Sequence, residues 1–460
     1  MIKNLLLSAI TVAMFCGLHA QSIVNVKDIN TIGSSLPHDL VIANDKIFFI
    51  AQDQTNNATL WMSSGTDATT VNLGPFTGVG NSMQELVSFN NKVYFAYNNG
   101  VNGEELWVSD GTVAGTVMLK DIYAGSTNSN PHAFTVCNSK LMFLADDVNG
   151  AIRLYATDGT AAGTTVIKNN YVDNFNVRSF SVLNNQLYFR SDNGSGSGYG
   201  MWKTDGTLAG TALVKGDFIP ANAAGGPVVL SGLLYFNAND NVHGEALWVT
   251  DGTLAGTRLV KDIFPGGNAS PQNFTVYHSK VYFAATDGIS GKELWATDGT
   301  ASGTQLVKDV LPGVAGSLPY ASAVYKDTLY FLANATQELW KTDGTATNTT
   351  LVKSNMPATR FAAIWNNKMY FITGNYTYVH ESDGTTAGTK LIRVDNTASD
   401  VNHYSQFGSD DYFLEYHNEL YLQAAVAGMV NGYELYKLTT MALPLHLLSF
   451  AGEVKTITMF

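Results

Sequence analysis

A short phrase recurs along almost the whole chain and constrains the fold more than any other feature. Its clearest copy is ELWATDGTASGTQLVKDV, residues 293–310, with Asp298, Gly299 and Thr300 at its centre. The spacings between successive central turns are 46, 48, 47, 46, 47, 45 and 40 residues, counted between Ser64, Asp110, Asp158, Asp205, Asp251, Asp298, Asp343 and Asp383. Repetition at this period predicts one supersecondary unit stacked many times.

Within a unit, four short runs rich in Val, Tyr, Phe, Trp and Leu are bounded by Gly, Asp, Asn and Ser, as β-strands are. In one unit these runs are residues 273–278, 280–286, 292–297 and 304–310. Both faces of the second run are apolar, because alternate side chains of a strand point to opposite faces. A four-stranded sheet covered on both faces by identical neighbours is a propeller blade. The sequence therefore predicts an all-β propeller.

The two ends of the chain predict how the ring closes. Residues 22–30, SIVNVKDIN, resemble the fourth strand of a unit, such as RLVKDIF at 258–264, but no first three strands precede them. The last unit, after Glu419, has the earlier strands and lacks the fourth. We expect the N-terminal strand to complete the last blade, which gives nine blades. Eight blades is the alternative, because the unit around Asp383 and the last unit are irregular.

The first twenty residues have the pattern of a secretory signal peptide. Lys3 precedes an apolar run from Leu5 to Phe15, and small residues lie before Gln21, as in a cleaved leader. The run is too short to cross a bilayer, so we expect a secreted or cell-surface protein without a membrane span. Residues 21–441 then form one propeller, because the repeats continue without a break in composition.

Charge and cysteine content exclude several classes of protein. The formal net charge is −12, and binding to nucleic acid or to anionic membranes needs clustered Lys and Arg. Hydrophobic residues make up 45% and charged residues 14% of the chain, which excludes disorder. After removal of the leader only Cys137 remains, so no intramolecular disulfide can form, and we expect this thiol to be buried.

The DGTxxGT turns are predicted to be structural. In the copy above, Asp298 is expected to accept backbone N–H groups, Gly299 to take a positive φ, and Gly303 to take a second one. In one copy Asn348 replaces the second glycine, which fits a left-handed position. The turn aspartates assigned this structural role are Asp110, Asp158, Asp205, Asp251, Asp298, Asp343 and Asp383. We expect no cofactor; calcium is the alternative, although the turns lack the alternating oxygen ligands of a calcium loop.

Loops on the opposite rim vary between units, and variable polar loops on a rigid frame are where recognition usually occurs. Carboxylates in these loops are the candidate ligand-binding residues for a carbohydrate or cation; the alternative is that they are solvated turn residues. The candidates are Asp146, Asp147, Asp192, Asp240 and Asp287.

Two resemblances follow from these residues. ELWVSDGTVAGT at 105–116 and its copies resemble the ELWxxDGT repeat, or hyalin-like, family of exported bacterial surface proteins. That resemblance implies a secreted or surface propeller and supplies no catalytic residues. The tail at 442–460 opens with ALPLHLLSF, which is similar to the start of the sorting domain of type IX secretion in Bacteroidetes. It implies the type IX machinery as a partner; a C-terminal strand packed on the propeller is the alternative.

Function is less constrained than fold. We expect a non-catalytic binding or adhesion module for an extracellular glycan or protein. The alternatives are a carbohydrate-active enzyme that uses rim carboxylates and a structural surface-layer protein. No HExxH, nucleophile elbow or phosphate-binding loop is present, and the histidines are interpreted as falling at unrelated positions in the units. Catalysis would need carboxylates with His or Arg around the central channel, which a sequence cannot place.

Overall fold

The structure is a computed structural model that describes residues 20–74, 76, 83–168, 181–192, 198–220, 226–333, 335–356, 358–373, 378–392, 401–402, 413–426 and 432–441. These residues form nine antiparallel blades in a ring, a nine-bladed β-propeller. The only helical element among them is a 3-10 turn at Asp67–Thr69. No helix in this part of the chain is both long and apolar enough to cross a membrane. Of the predicted leader at residues 1–20 only Ala20 is described, and the tail at 442–460 lies outside the described residues.

Strand β1 is Ala20–Lys27, and the later strands follow blade by blade. Blade 1 is β2 His38–Ala43, β3 Lys46–Gln52, β4 Ala58–Ser63 and β5 Val71–Asn72; blade 2 is β6 Gln84–Phe89, β7 Lys92–Asn98, β8 Glu104–Ser109 and β9 Val117–Lys120. Blade 3 is β10 His132–Cys137, β11 Lys140–Asp146, β12 Ile152–Thr157 and β13 Thr165–Lys168; blade 4 is β14 Ser181–Leu183, β15 Gln186–Asp192, β16 Tyr199–Thr204 and β17 Ala212–Gly216.

Blade 5 is β18 Ile219–Pro220 and β19 Val228–Leu230, which both pair with β20 Leu233–Asn239, then β21 Glu245–Thr250 and β22 Arg258–Lys261. Blade 6 is β23 Gln272–Tyr277, β24 Lys280–Thr286, β25 Lys292–Thr297 and β26 Gln305–Lys308; blade 7 is β27 Pro319–Tyr325, β28 Thr328–Ala333, β29 Glu338–Thr342 and β30 Thr350–Lys353. Blade 8 is β31 Ala358–Trp365, β32 Lys368–Thr373, β33 Tyr378–Ser382 and β34 Lys390–Leu391, and the short β35 Val401–Asn402 joins it to blade 9. Blade 9 is β36 Phe413–Tyr416, β37 Glu419–Val426, β38 Glu434–Met441 and β1.

The N-terminal strand closes the ring as predicted. Strand β1 pairs antiparallel with β38, in a register that runs from Ala20 opposite Met441 to Lys27 opposite Leu435. The nine-blade prediction is confirmed and the eight-blade alternative is wrong, because the irregular units around Asp383 and Glu419 each form a blade of their own.

The first strands of successive blades contact one another, as β2 contacts β6, β6 contacts β10 and β36 contacts β2. These inner strands therefore surround the central channel. Because the strands of a blade alternate in direction, the loops fall on two rims. The turn rim carries the first hairpin and the DGT turn of each blade. The crossover rim carries the loops between second and third strands and the connections between blades.

The core lies between neighbouring blades. In the second strand of blade 6 all five residues from Val281 to Ala285 are buried, which fits a sheet covered on both faces. One cluster joins Tyr282 and Leu294 of blade 6 to Leu329 and Phe331 of blade 7. Cys137 is buried in the cluster between blades 3 and 4.

The DGT turn is held by its own side chains. Asp298 Oδ1 accepts the Thr300 N–H at 2.9 Å and the Thr300 hydroxyl at 2.7 Å, and the Gly303 N–H donates to that hydroxyl oxygen at 2.9 Å. Gly299 has φ +92°, as predicted. A Cβ there would also lie 2.5 Å from the Tyr235 hydroxyl of the preceding blade. This glycine is therefore required by backbone conformation and by packing between blades.

The prediction of a second positive φ at Gly303 is wrong. Gly303 lies outside the left-handed region, and a Cβ there would lie 2.1 Å from Asp298 Oδ1. The residue is small because the aspartate carboxylate occupies the space. The interpretation of Asn348 as a left-handed residue is also wrong, because its φ is not positive. Its side-chain amide instead donates to Asp343 Oδ2 at 2.6 Å.

Candidate functional site

The candidate aspartates of the variable loops lie on the crossover rim, and Asp240 and Asp287 interact within their own loops. Asp240 accepts the N–H groups of Val242 and His243, and its other oxygen lies 2.8 Å from the His243 ring. Burial alone would raise the pKa of Asp240, yet these donors leave it lowered. Asp287 accepts the N–H groups of Ile289 and Ser290, with the same effect on its pKa.

The remaining three candidates lie in blades 3 and 4. Asp147 pairs with Arg153 at 2.8 Å, Asp146 accepts the Asn130 amide at 2.7 Å, and Asp192 ends β15 in blade 4. The five aspartates are spread over blades 3 to 6, so the structure does not combine them into one site. Among the described residues, no three His, Cys, Asp or Glu side chains are grouped in a way that could hold a metal ion.

A cavity in the wall of the central channel brings residues of several blades together, unlike the scattered aspartates of the crossover rim. A cavity of about 380 Å³ is lined by inner strands of three consecutive blades. It contacts Asp39 and Val41 of β2, residues 85–88 of β6, and Ala133 and Phe134 of β10. We call this cavity the channel pocket. Its walls are apolar, while Asp39 and Glu85 provide carboxylates.

A bulge on each inner strand positions these carboxylates. Pairing to the second strand shifts register between Gln84 and Val87, and Glu85 has φ +55°. Asp39 and Ala133 have φ +51° and +58° at the matching bulges of blades 1 and 3. A positive φ is costly for a residue other than glycine and needs support from its surroundings.

Hydrogen bonds between blades give that support. Asp39 Oδ2 accepts the Glu85 N–H at 3.0 Å, and Glu85 Oε2 accepts the Ala133 N–H at 2.6 Å. The bulges of blades 1, 2 and 3 are therefore linked to one another along the channel. The bulge of blade 6 makes a related contact, because the Asn273 side chain donates to the Pro319 carbonyl at 3.0 Å.

Glu104 and His132 extend the acidic group toward the crossover rim. Burial raises the pKa of Glu104 to about 7; His132 opposes the shift, while Glu105 and Glu85 add to it. Burial likewise raises the pKa of Glu85, against the hydrogen bond from Ala133 and the nearby His132, and Asp39 adds to the rise. Part of the Glu85 residue remains exposed to solvent. The arrangement can hold a cation or accept hydrogen bonds, and Glu104 can hold a proton near neutral pH.

Sequence reasoning did not find this site, although one signal was present. His38 and His132 occupy the same position, each after a proline and one residue before the bulge. His278 and His417 also share a position, stacked on Tyr277 and Tyr416 and 2.8 and 2.9 Å from Asp327 and Asp45. The interpretation that the histidines fall at unrelated positions is therefore wrong.

The glutamate of the ELW phrase was also missed. Glu105 is fully buried and accepts the Ile122 N–H at 2.6 Å and the Ser129 hydroxyl at 2.7 Å, which ties the third strand to the crossover. Glu293 and Glu434 make the same contacts with Ser317 and Ser35. Blade 5 has alanine at both positions, Ala246 and Ala269. This joint replacement is the signal that the sequence offered.

No family model matches this sequence, and no curated protein matches it. Among solved structures it is similar to the computationally designed Ika8 protein, with 13% identity over 80% of this chain and 99% of that chain and a TM-score of 0.43. It is also similar to a prolyl endopeptidase, with 10% identity over 87% and 56% and a TM-score of 0.41. For puromycin hydrolase the identity is 12% over 88% and 60%, with a TM-score of 0.39. The chain thus spans 56% and 60% of the two enzymes.

Proposed function

We propose that the chain is an exported binding module of the ELWxxDGT repeat type, which takes a ligand bearing a protonated amine into the channel pocket. The ligand source is an extracellular glycan with free amino sugars or a protein that presents lysine. The leader at residues 1–20 and the repeat phrase support export. The channel pocket is the observation that carries the binding function.

The chemistry of the pocket supports an amine. Among the described residues, no Lys or Arg forms an ion pair with the acidic group of Asp39, Glu85 and Glu104, so an incoming ammonium relieves repulsion between carboxylates. Partial burial strengthens that attraction relative to water. Val87 and Phe134 offer apolar contact for the carbon skeleton next to the amine.

The test is titration calorimetry of the protein with two amine-bearing probes, oligoglucosamine and oligolysine, each beside its N-acetylated form. We expect one amine-bearing probe to bind and its acetylated form to bind at least tenfold more weakly. Glu85→Gln should weaken binding about tenfold, because a charge-assisted contact is lost, while the Gln oxygen can still accept the Ala133 N–H.

The matched control is Glu415→Gln, which removes the same charge from an exposed inner-strand position at the turn-rim end of the channel. It should leave the affinity unchanged. Equal binding of free and acetylated probes would contradict the amine, and an equal loss in both variants would contradict the pocket. Failure of every probe would favour a passive structural role.

A further inference from the structure

The tryptophan of the ELW phrase occupies one position on the third strand of six blades, but its indole N–H has two kinds of environment. In blades 1, 4 and 7 the donor has a protein acceptor: Thr59 Oγ1 at 2.8 Å, the Asp192 carbonyl at 2.9 Å and Glu338 Oε2 at 2.9 Å. In blades 2, 5 and 6 the indole nitrogens of Trp107, Trp248 and Trp295 are buried without a partner among the described residues.

The same three blades carry a second unpartnered atom. The aspartate that follows the fourth strand has a buried Oδ1 without a hydrogen-bond donor, at Asp121, Asp262 and Asp309. An unpartnered donor and an unpartnered acceptor therefore occur in the same blade, at equivalent positions, in three blades.

The strand register places each donor and acceptor on one face. In blade 6, Leu294 pairs with Lys308, so Asp309 lies level with Glu293. Side chains alternate along a strand, so Glu293, Trp295 and Asp309 face the same way. That face packs against blade 5, because Trp295 shares a cluster with Tyr235 and Val260. Solvent cannot reach the two atoms from outside.

We propose that blades 2, 5 and 6 each bind one internal water molecule, which accepts the indole N–H and donates to the aspartate Oδ1. A buried polar group without a partner costs its full desolvation energy, so such pairs are satisfied in folded proteins. The occupant must both accept and donate. The N–H edge disfavours a cation and the carboxylate disfavours an anion, whereas water fits both atoms.

A crystal structure of the unmodified protein, at a resolution that shows ordered water, tests this within one map. We expect a density peak within hydrogen-bond distance of both atoms in blades 2, 5 and 6. The indoles of Trp61, Trp202 and Trp340 are internal controls and should have no such peak at Nε1. Direct contact between indole nitrogen and carboxylate, or no peak in the three blades, would overturn the proposal.

A solution measurement uses the same controls. Magnetisation transfer from long-lived water should reach the indole N–H protons of Trp107, Trp248 and Trp295 and should be absent for the other three. Trp295→Phe assigns one signal and should remove one transfer peak without changing the others. Equal transfer to all six indoles would also contradict the proposal.

Discussion

At the scale of single residues, a buried glutamate on the third strand of a blade binds the connection to the next blade. Glu293 is inaccessible to solvent and accepts the N–H groups of Leu311 at 3.1 Å and Ser317 at 2.7 Å, together with the Ser317 hydroxyl at 2.5 Å. Burial raises its pKa, although these donors oppose the rise. A group that is desolvated and fully hydrogen-bonded stabilises only while its partners are present.

We predict that Glu293→Ala lowers the free energy of unfolding by about 3 kcal/mol, because it leaves buried donors without an acceptor. Adding Ser317→Ala should cost little more, since its partner is already gone. Blade 5, with Ala246 and Ala269, is a natural precedent for the double change. Urea midpoints of the two single variants and the double variant give the coupling energy, which should exceed about 1 kcal/mol. Additive losses would show that the two side chains act independently.

At the scale of the element, the DGT turn packs against the second strand of the preceding blade. The glycine of the turn faces a tyrosine hydroxyl in several blades, as Gly299 faces Tyr235 and Gly344 faces Tyr282. At Gly111 the neighbours are the thioether of Met62 and the ring of Phe48 instead. The residue at this position of the turn is therefore constrained by packing against the preceding blade as well as by backbone conformation.

We predict that Gly299→Ala destabilises the protein by about 2–4 kcal/mol, through the positive φ and the collision with the Tyr235 hydroxyl. Tyr235→Phe in the same chain should restore about 1 kcal/mol, because it removes the oxygen that the new methyl group meets. Gly303→Ala tests the second glycine, where the methyl group meets the Asp298 carboxylate. Thermal unfolding of the three variants measures both effects; no rescue by Tyr235→Phe would leave backbone strain as the sole cause.

The strands could be predicted because the relevant interactions repeat. The second strand of blade 6 was expected at 280–286 and is Lys280–Thr286, since apolar residues on both faces and a polar boundary leave few other positions. The channel pocket could not be predicted, because it depends on three inner strands whose residues differ between units. Asp39 and Glu85 are positioned by a positive φ and by contacts between blades. A repeat pattern in the sequence reveals neither the backbone conformation nor these contacts.

At the scale of the whole molecule, the ring is closed by pairing between the two ends of the described chain. Ser22 lies opposite Thr439, and their hydroxyl oxygens are 2.8 Å apart. The two side chains therefore point toward each other at the closing strand. Opening of the ring would separate β1 from β38 and expose Ile23 and Leu438, which share a buried cluster.

We predict that Ser22→Cys with Thr439→Cys forms a disulfide that locks the ring. The loop it closes spans most of the chain, so the chain-entropy model gives a stabilisation of about 6 kcal/mol. Melting temperature under oxidising conditions should rise above that of the parent protein and fall back on reduction, which is the internal control. Cys137 should not compete, because it is buried and burial raises the pKa of its thiol. An unchanged melting temperature in the oxidised form would place the first opening event away from this strand pair.

The strand pair that closes the ring, β1 with β38, also contains a titratable group. Glu434 on β38 accepts the N–H groups of Ile29 and Ser35, each at 3.0 Å, and so binds the segment that follows β1. Burial raises its pKa from 4.5 to about 7, with hydrogen bonds from Ser35 and Ile29 opposing the rise and Asp28 adding to it. The folded state therefore holds a proton that the unfolded state releases between these two pH values.

The difference between the folded and unfolded pKa of Glu434 sets how stability depends on pH. Where the folded state binds more protons, the free energy of unfolding falls as pH rises, so the contribution of Glu434 is full below about pH 4.5 and is lost as pH rises through about 7. One pKa unit corresponds to about 1.4 kcal/mol, which makes about 3 kcal/mol the upper bound for this group.

We predict that melting temperature decreases from pH 5 to pH 8 and that Glu434→Gln reduces the slope, because Gln does not titrate. Glu415→Gln, at an exposed position, should keep the parental slope. A slope unchanged by Glu434→Gln would assign the pH dependence to other buried carboxylates, Glu104 first among them.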